Sequence, residues 1–174
     1  MNNTLLTHVD ENDEILGFVP KLKAHELGLL HRAVSVLIFN TRGEWLLQKR
    51  AKNKYHSGGL WTNTSCSHPY VDEDVETAAH RRLQEEMGLK CKLKKSFRFH
   101  YKSKLENGLI EHEIDHVFIG ITDELPIINS EEAEDWKYIS ESELSRELNK
   151  EPEKFTSWFK LIFEKMEKEP VFIE

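Results

Sequence analysis

A short extended segment that runs straight into a helix limits how this chain can fold. Residues 61–70 read Trp-Thr-Asn-Thr-Ser-Cys-Ser-His-Pro-Tyr, and Pro69 disfavours helical backbone at the residue before it. Side chains two residues apart in an extended chain point the same way, so we predict that Cys66 and His68 face one pocket. The alternative is a buried cysteine and a loop histidine that precede an ordinary amphipathic helix.

The helix after this segment is predicted over residues 75–87. The acidic residues 72–74 interact favourably with the dipole at its start, and Gly88 is a suitable cap at its end. Glu85 and Glu86 lie in its last turn, where acidic groups oppose the dipole. One interpretation is that a carboxylate there holds Mg²⁺, which in turn holds a diphosphate. The other is a solvated, charged helix end.

Strand signals recur through much of the remaining chain. The segment 21–30 is ambiguous. The predicted strands cover residues 5–9, 15–19, 33–39, 44–50, 97–104, 109–119 and 136–139, and further helices begin near Ser140 and Pro152. This order indicates a single α+β domain over residues 1–174, built on a mixed sheet.

Composition excludes several classes of function. A formal net charge of −7 argues against a protein that binds nucleic acid through phosphate contacts. No stretch approaches the roughly 20 apolar residues that a membrane span needs, and the N-terminus has no apolar signal core. Two cysteines suggest no disulfide framework. We therefore expect a cytoplasmic protein without nucleic-acid or membrane partners.

Histidine and glutamate side chains could together hold a divalent metal ion. Glu111 and Glu113 are two residues apart on a predicted strand, so both carboxylates face one side, whereas His112 and His116 face the other. Imidazoles with carboxylates suit Zn²⁺, Mn²⁺ or Fe²⁺ better than Ca²⁺. The chain has nine histidines, however, so a scattered trio can also be incidental. The candidate ligands are His25, His31, His68, Glu111 and Glu113.

Cationic and aromatic side chains form two further candidate sets. The cations, on loops or strand ends, could neutralise phosphate oxygens or could be ordinary surface charges. An aromatic face can stabilise a transient cation by about 1–2 kcal/mol when water is excluded, although core packing is the common role of a helical Trp. The cations are Lys21, Arg50 and Lys54, and the aromatic residues are Trp61, Tyr101 and Trp158.

The segment 67–89 resembles the Nudix signature, in which a glycine and a glutamate precede R-E-x-x-E-E-x-G at fixed gaps. Ser67 replaces the opening glycine, and Arg82 replaces the glutamate that follows the arginine. In hydrolytic Nudix enzymes that glutamate helps to bind the metals that activate water, so its loss argues against diphosphate hydrolysis. The matching residues are Glu73, Arg81, Glu85, Glu86, Gly88 and Leu89.

These departures, together with the motifs at residues 29–36, 61–69 and 111–113, resemble the type I isopentenyl-diphosphate Δ-isomerases. The resemblance extends from about residue 21 to residue 158. It implies a Nudix-like mixed sheet sandwiched by helices. It also implies interconversion of isopentenyl and dimethylallyl diphosphate through a tertiary carbocation, in isoprenoid biosynthesis.

The same resemblance implies a role for each candidate. Cys66 and Glu113 match the two residues on opposite sides of the substrate double bond, and Tyr101 matches a tyrosine that assists proton transfer. Trp158 matches the indole near the cationic carbon. The five candidate ligands match a site for Mn²⁺ or Zn²⁺ (or Mg²⁺), and Glu86 matches a carboxylate that holds Mg²⁺ with the diphosphate. The diphosphate-binding cations of the family are matched here by Lys21, Arg50 and Lys54.

Two other classes of function stay open. A Nudix hydrolase would need a substitute for the missing glutamate and would release phosphate. A Nudix-fold binding module would not need Cys66 and Glu113 close to three aligned histidines. We expect a small diphosphate as the partner, and a monomer or weak homodimer as the oligomeric state.

Overall fold

Nine strands and four α-helices make up the fold within residues 4–168, the part of the chain that the computed structural model describes. All nine strands belong to one sheet with parallel and antiparallel pairs, which confirms the predicted α+β mixed sheet. The strands are β1 (Leu5–Val9), β2 (Ile15–Pro20), β3 (His31–Phe39), β4 (Trp45–Arg50), β5 (Trp61–Thr62), β6 (Ser65–Ser67), β7 (Leu93–Lys104), β8 (Ile110–Ile121) and β9 (Ala133–Ile139). The helices are α1 (Lys21–Leu27), α2 (Val75–Met87), α3 (Glu141–Lys150) and α4 (Ser157–Lys168).

Strand β3 occupies a central place in the sheet. Its side chains are almost all buried, as expected for a nearly continuous apolar strand that is covered on both faces. It pairs in parallel with β8 along its whole length, and antiparallel with β6 through residues 34–36. The strands that carry Cys66 and Glu113 therefore lie on the two sides of β3.

Helices cover both faces of the sheet, which confirms the arrangement that the family resemblance implied. Alternate side chains of β3 point to opposite faces, so Val36 packs in one cluster with Leu83 of α2. Leu37 packs in a second cluster with Phe159 of α4. None of the helices within residues 4–168 has the length and apolar character to span a membrane.

Helix α2 begins and ends at the predicted residues. The Asp74 carboxylate caps its start by accepting a hydrogen bond from the Thr77 N–H at 2.9 Å. Gly88 ends the helix in the left-handed conformation, with a φ of 65°. The amide of Gly88 donates to the carbonyl oxygen of Gln84.

Several elements differ from the sequence interpretation, and the helix that was predicted near Pro152 begins only at Ser157. The ambiguous segment after Pro20 forms the short helix α1, which Gly28 ends in the left-handed conformation. Strand β7 begins at Leu93 rather than Phe97, because a shift in pairing between Lys95 and Phe97 interrupts the two-residue alternation. Strand β9 begins at Ala133, three residues before the predicted start. The predicted domain limits of 1–174 stay a prediction, and residues 1–3 and 169–174 lie outside the described part.

We predict that Gly88→Ala destabilises the fold more than Gly43→Ala. Both glycines have positive φ, which costs an alanine roughly 1–2 kcal/mol. A Cβ at Gly88 would also lie 2.7 Å from the backbone oxygen of Ile127, whereas a Cβ at Gly43 meets nothing within 4 Å. Such overpacking adds about 1–3 kcal/mol. Urea denaturation measures both free energies of unfolding, and equal losses would contradict the steric argument.

Candidate active site

Five side chains converge on one face of the sheet. His25 comes from α1, His31 from the start of β3, His68 from just after β6, and Glu111 and Glu113 from β8. Their ligand atoms all lie within 4.8 Å of one another. The structure thus brings together the complete predicted set of metal ligands.

Strand pairing explains this convergence. His31 is the parallel neighbour of Glu113, and its Nε2 lies 3.3 Å from Glu113 Oε1. Two-residue alternation places Glu111 on the same face as Glu113, where its Oε2 lies 3.4 Å from His25 Nε2. His68 Nε2 lies 2.9 Å from Glu113 Oε1.

Backbone carbonyls orient two of the imidazoles. His25 Nδ1 lies 2.7 Å from the Lys21 carbonyl oxygen, and His31 Nδ1 lies 2.8 Å from that of Leu29. A carbonyl only accepts, so each Nδ1 carries a proton, and Nε2 is the nitrogen with the lone pair whenever the ring is neutral. This is the usual arrangement for an imidazole that binds a metal ion.

Buried polar atoms in this group fit a divalent metal ion. Within residues 4–168, His31 Nε2 and Glu111 Oε2 are buried and have no hydrogen-bond partner. Leaving such atoms unpaired is costly, and a metal ion among them would satisfy both. Imidazole nitrogens with carboxylate oxygens are the donor set of Zn²⁺ or Mn²⁺.

A cavity of about 590 Å³ lies beside the metal-ligand group. Its volume is in the range of small-molecule sites. Of the predicted residues, His25, His31, Glu86 and Trp61 are not among its lining residues in the described part of the chain. The predicted residues that line it are Lys21, Arg50, Lys54, Cys66, His68, Tyr101, Glu111, Glu113 and Trp158.

Cys66 and Glu113 reach this cavity from opposite sides of β3. Cys66 is the antiparallel neighbour of Ser35, and Glu113 is the parallel neighbour of His31. Burial raises the pKa of the Cys66 thiol to about 12, although the nearby Arg50 guanidinium opposes this shift. The thiol is therefore protonated at neutral pH.

Glu113 has the opposite charge state. Burial by itself raises the pKa of Glu113, but its contact with His31 and a 2.7 Å hydrogen bond from the Tyr101 hydroxyl help to lower it to about 2. The carboxylate is therefore ionised at neutral pH. The cavity thus holds a protonated thiol, that of Cys66, and an ionised carboxylate, that of Glu113.

The Trp158 side chain packs in the hydrophobic core and also lines the cavity. It is 4% exposed and belongs to the cluster around α4, as expected of a tryptophan on an amphipathic helix. The Arg50 guanidinium lies 5.3 Å from its ring centroid. A cation already occupies one side of this ring, which shows that the ring is positioned for cation–π contact.

Glu86 is buried and paired. Arg82 Nη2 lies 2.9 Å from Glu86 Oε1, and Gln48 Nε2 donates to Glu86 Oε2 at 2.6 Å. Burial raises the pKa of Glu86, and the Arg82 charge opposes this rise. Arg82, which replaces the signature glutamate, also pairs with Glu85 at 2.8 Å. Arg82 therefore places a positive charge at the position where the signature has a glutamate.

The structure adds site residues that the sequence interpretation missed. Asp115 lines the cavity, is 1% exposed and accepts a 2.7 Å hydrogen bond from the Ser35 hydroxyl. Alternation along β8 could have found it, because it continues the series of Glu111 and Glu113. His56 also lines the cavity, with Nε2 3.2 Å from Glu111 Oε1. It lies in an irregular loop, where no periodicity signals its direction.

Comparison with known proteins gives the family. The NUDIX domain matches residues 29–159. The chain is 53% identical over 155 residues to the isopentenyl-diphosphate Delta-isomerase of Pectobacterium atrosepticum, covering 89% of this chain and 87% of that protein. It is 51% identical over 150 residues to isopentenyl-diphosphate Delta-isomerase 2 of Aromatoleum aromaticum, covering 86% of this chain and 79% of that protein.

Solved structures share the fold at lower identity. DR0079 from Deinococcus radiodurans has a TM-score of 0.76 at 16% identity, over 92% of this chain and 98% of its own. The MutT protein from Methanosarcina mazei Go1 has a TM-score of 0.67 at 21% identity, over 80% and 94%. The fold and the domain match make this chain a member of the Nudix family. Within that family it belongs to the isopentenyl-diphosphate Delta-isomerases.

We predict that the Cys66 thiol is alkylated slowly at pH 7 and that its rate keeps rising beyond pH 9. A pKa raised to about 12 leaves little reactive thiolate at neutral pH. The rate for an ordinary thiol levels off near its pKa of about 8.5. Mass spectrometry after iodoacetamide treatment of a Cys91→Ser variant measures this rate, with the urea-unfolded chain as the control. Levelling below pH 9 would contradict the raised pKa.

Proposed function

We propose that this protein interconverts isopentenyl diphosphate and dimethylallyl diphosphate, an isomerase reaction of isoprenoid biosynthesis. One observation carries the proposal. The protonated Cys66 thiol and the ionised Glu113 carboxylate enter one cavity from strands on either side of β3. Membership of the isomerase family supports it.

The reaction needs an acid and a base on the two faces of a flat substrate. Moving the double bond adds one proton to the terminal carbon and removes another from C2, through a tertiary carbocation. General acid and base groups must therefore flank the alkene. Cys66 and Glu113 would fill these roles, and Tyr101 would assist the transfer at Glu113, to which it donates a hydrogen bond.

The five clustered ligands would hold a divalent ion, Mn²⁺ or Zn²⁺ (or Mg²⁺). Such an ion, when bound, acidifies a coordinated carboxyl group. Glu113 would therefore serve as ligand and proton-transfer group together. Tyr101 fixes one of its oxygens by a 2.7 Å hydrogen bond, and the other lies among the imidazoles of His31 and His68.

Basic residues of the lining would bind the diphosphate. Arg50 offers a planar guanidinium to phosphate oxygens, and Lys21 and Lys54 offer ammonium groups. Lys54 is paired with Glu132, so the diphosphate would compete with that carboxylate for it. Glu86 would hold a Mg²⁺ ion that is bound together with the diphosphate.

Trp158 would stabilise the carbocation through its ring face, by about 1–2 kcal/mol or more in the absence of water. The cluster around α4 keeps the ring in place and limits the access of water that would quench the cation.

We further propose that the protein acts in the cytoplasm as a monomer or weak homodimer, with a small diphosphate as its partner. The net charge of −7 supports the absence of a nucleic-acid partner. Both cysteines are free, which suits a reducing compartment. We propose no membrane partner.

Proton NMR of isopentenyl diphosphate incubated with the protein and Mg²⁺ tests the reaction. New allylic methyl signals are expected from the native protein. Cys66→Ala should lower turnover by about 10²–10⁴-fold, the usual contribution of a general acid or base. Cys91→Ala, the other free cysteine, is the matched control and should isomerise normally. Near-normal turnover by Cys66→Ala would refute the role of Cys66.

The same spectra distinguish the other classes. A Nudix hydrolase would release inorganic phosphate, and a binding module would leave the substrate unchanged. Arg82 argues against the hydrolase, because it replaces the signature glutamate that helps to bind the metals that activate water, and it brings a positive charge to the end of α2.

Glu113→Gln should lose both the metal ion and the activity. The amide is a weaker ligand and cannot take up a proton as a carboxylate does. Metal content after dialysis against Mn²⁺, together with the NMR assay, measures both effects. Glu106→Gln, at an exposed glutamate of the β7–β8 turn, is the control. A Glu113→Gln variant that kept both properties would exclude the proposed role.

A further inference from the structure

We infer that His56 is a positioning residue, which holds the Glu111 carboxylate so that its buried oxygen faces the imidazoles. This inference rests on the proposed metal centre. His56 Nε2 lies 3.2 Å from Glu111 Oε1, while Glu111 Oε2 lies 3.4 Å from His25 Nε2. The side chains of His56 and Glu111 are both buried, with exposed fractions of 6% and 4%.

The neighbours of the His56 ring determine which nitrogen carries the proton. Ser57 Oγ lies 3.3 Å from His56 Nδ1, and a hydroxyl can donate to that nitrogen. A carboxylate only accepts, so the proton belongs on Nε2, towards Glu111. His25 and His31 have the opposite arrangement, with the proton on Nδ1. His56 therefore presents a proton towards the carboxylate oxygen 3.2 Å away, whereas the two other imidazoles present Nε2 to the metal-ligand group.

Contacts on its other sides fix the His56 ring. The ring stands at 83° to that of Trp158, with centroids 6.0 Å apart. The Arg50 guanidinium donates to the His56 carbonyl oxygen at 3.4 Å. The loop folds back tightly, since a Cβ at Gly58 would lie 2.6 Å from the Lys52 carbonyl oxygen. The imidazole is thus held between the metal-ligand group and the wall of the cavity.

A carboxylate with one oxygen held presents the other in a fixed direction. Without a donor at Oε1, the Glu111 side chain can rotate, and ordering it again opposes metal binding. Removal of such an outer contact typically lowers metal affinity by roughly 10–100-fold. His56 would therefore act on metal affinity through Glu111, without being a ligand itself.

Mn²⁺ affinity of the full chain tests this role. Electron paramagnetic resonance counts free Mn²⁺ during a titration and gives the Kd for the native protein, His56→Leu and His56→Gln. Leucine fills similar space without a donor, and the glutamine amide can still donate to Glu111. We expect His56→Leu to weaken binding about 10-fold or more, and His56→Gln to stay within about 3-fold of the native protein.

The control is His116→Leu. His116 is 2% exposed and lies on the other face of β8, where its Nε2 is 2.9 Å from Asp13 Oδ2. This variant loses a buried imidazole in the same way and should keep the native Kd for Mn²⁺. Urea denaturation of every variant reports the stability change separately.

The outcomes separate this inference from the proposed metal centre. An unchanged Kd in His56→Leu, or equal weakening in the Leu and Gln variants, would overturn the role of His56 alone. Failure of the native protein to bind Mn²⁺, or native affinity in a His25→Ala variant, would overturn the metal centre and this inference with it.

Discussion

The parallel pairing of β3 with β8 decides where the chemistry can occur. It places His31 beside Glu113 and puts Glu111 on the same face. Side chains of a strand alternate between two faces, so a slip of one residue would turn both carboxylates towards α2. The same slip would exchange two β8 side chains of very different size, Val117 in the cluster around α4 and Phe118 in the cluster with α2, and would disturb the packing of both. Core packing thereby fixes the register on which the metal-ligand group depends.

Pairing of buried charges distinguishes this Nudix protein from the hydrolytic signature. Glu86 is 3% exposed, and such a carboxylate is costly unless it is paired. Arg82 and Gln48 supply the partners, and Arg82 also binds Glu85. The substitution of one glutamate by arginine therefore changes the end of α2 from a cluster of anions to a nearly balanced network. On β8, the carboxylates of Glu111 and Glu113 contact imidazoles instead of arginines, and Glu113 also accepts a hydrogen bond from a tyrosine hydroxyl.

Local rules predicted much of the fold and of the candidate site. Alternation predicted the shared face of Glu111 and Glu113, and cap residues predicted both ends of α2. The predicted start of β7 was wrong, because a bulge near Lys95 breaks the two-residue period of the strand. The same alternation rule could have predicted that Asp115 lies on the face of Glu111 and Glu113. The direction of the His56 side chain could not be predicted by this rule, because it depends on contacts with residues distant in sequence, Glu111 and Trp158. The roles of the individual site residues stay predictions.

The raised pKa of the Cys66 thiol has a consequence for its oxidation by peroxides. Peroxides react with thiolates, and protonated, shielded thiols are oxidised far more slowly. Burial raises the pKa of Cys66 to about 12, so the thiolate is a minor species at neutral pH. We therefore expect peroxides to oxidise the Cys66 thiol more slowly than an ordinary exposed thiol at neutral pH. Desolvation in this cavity, which would suit a carbocation, also disfavours the thiolate from which a sulfenic acid forms.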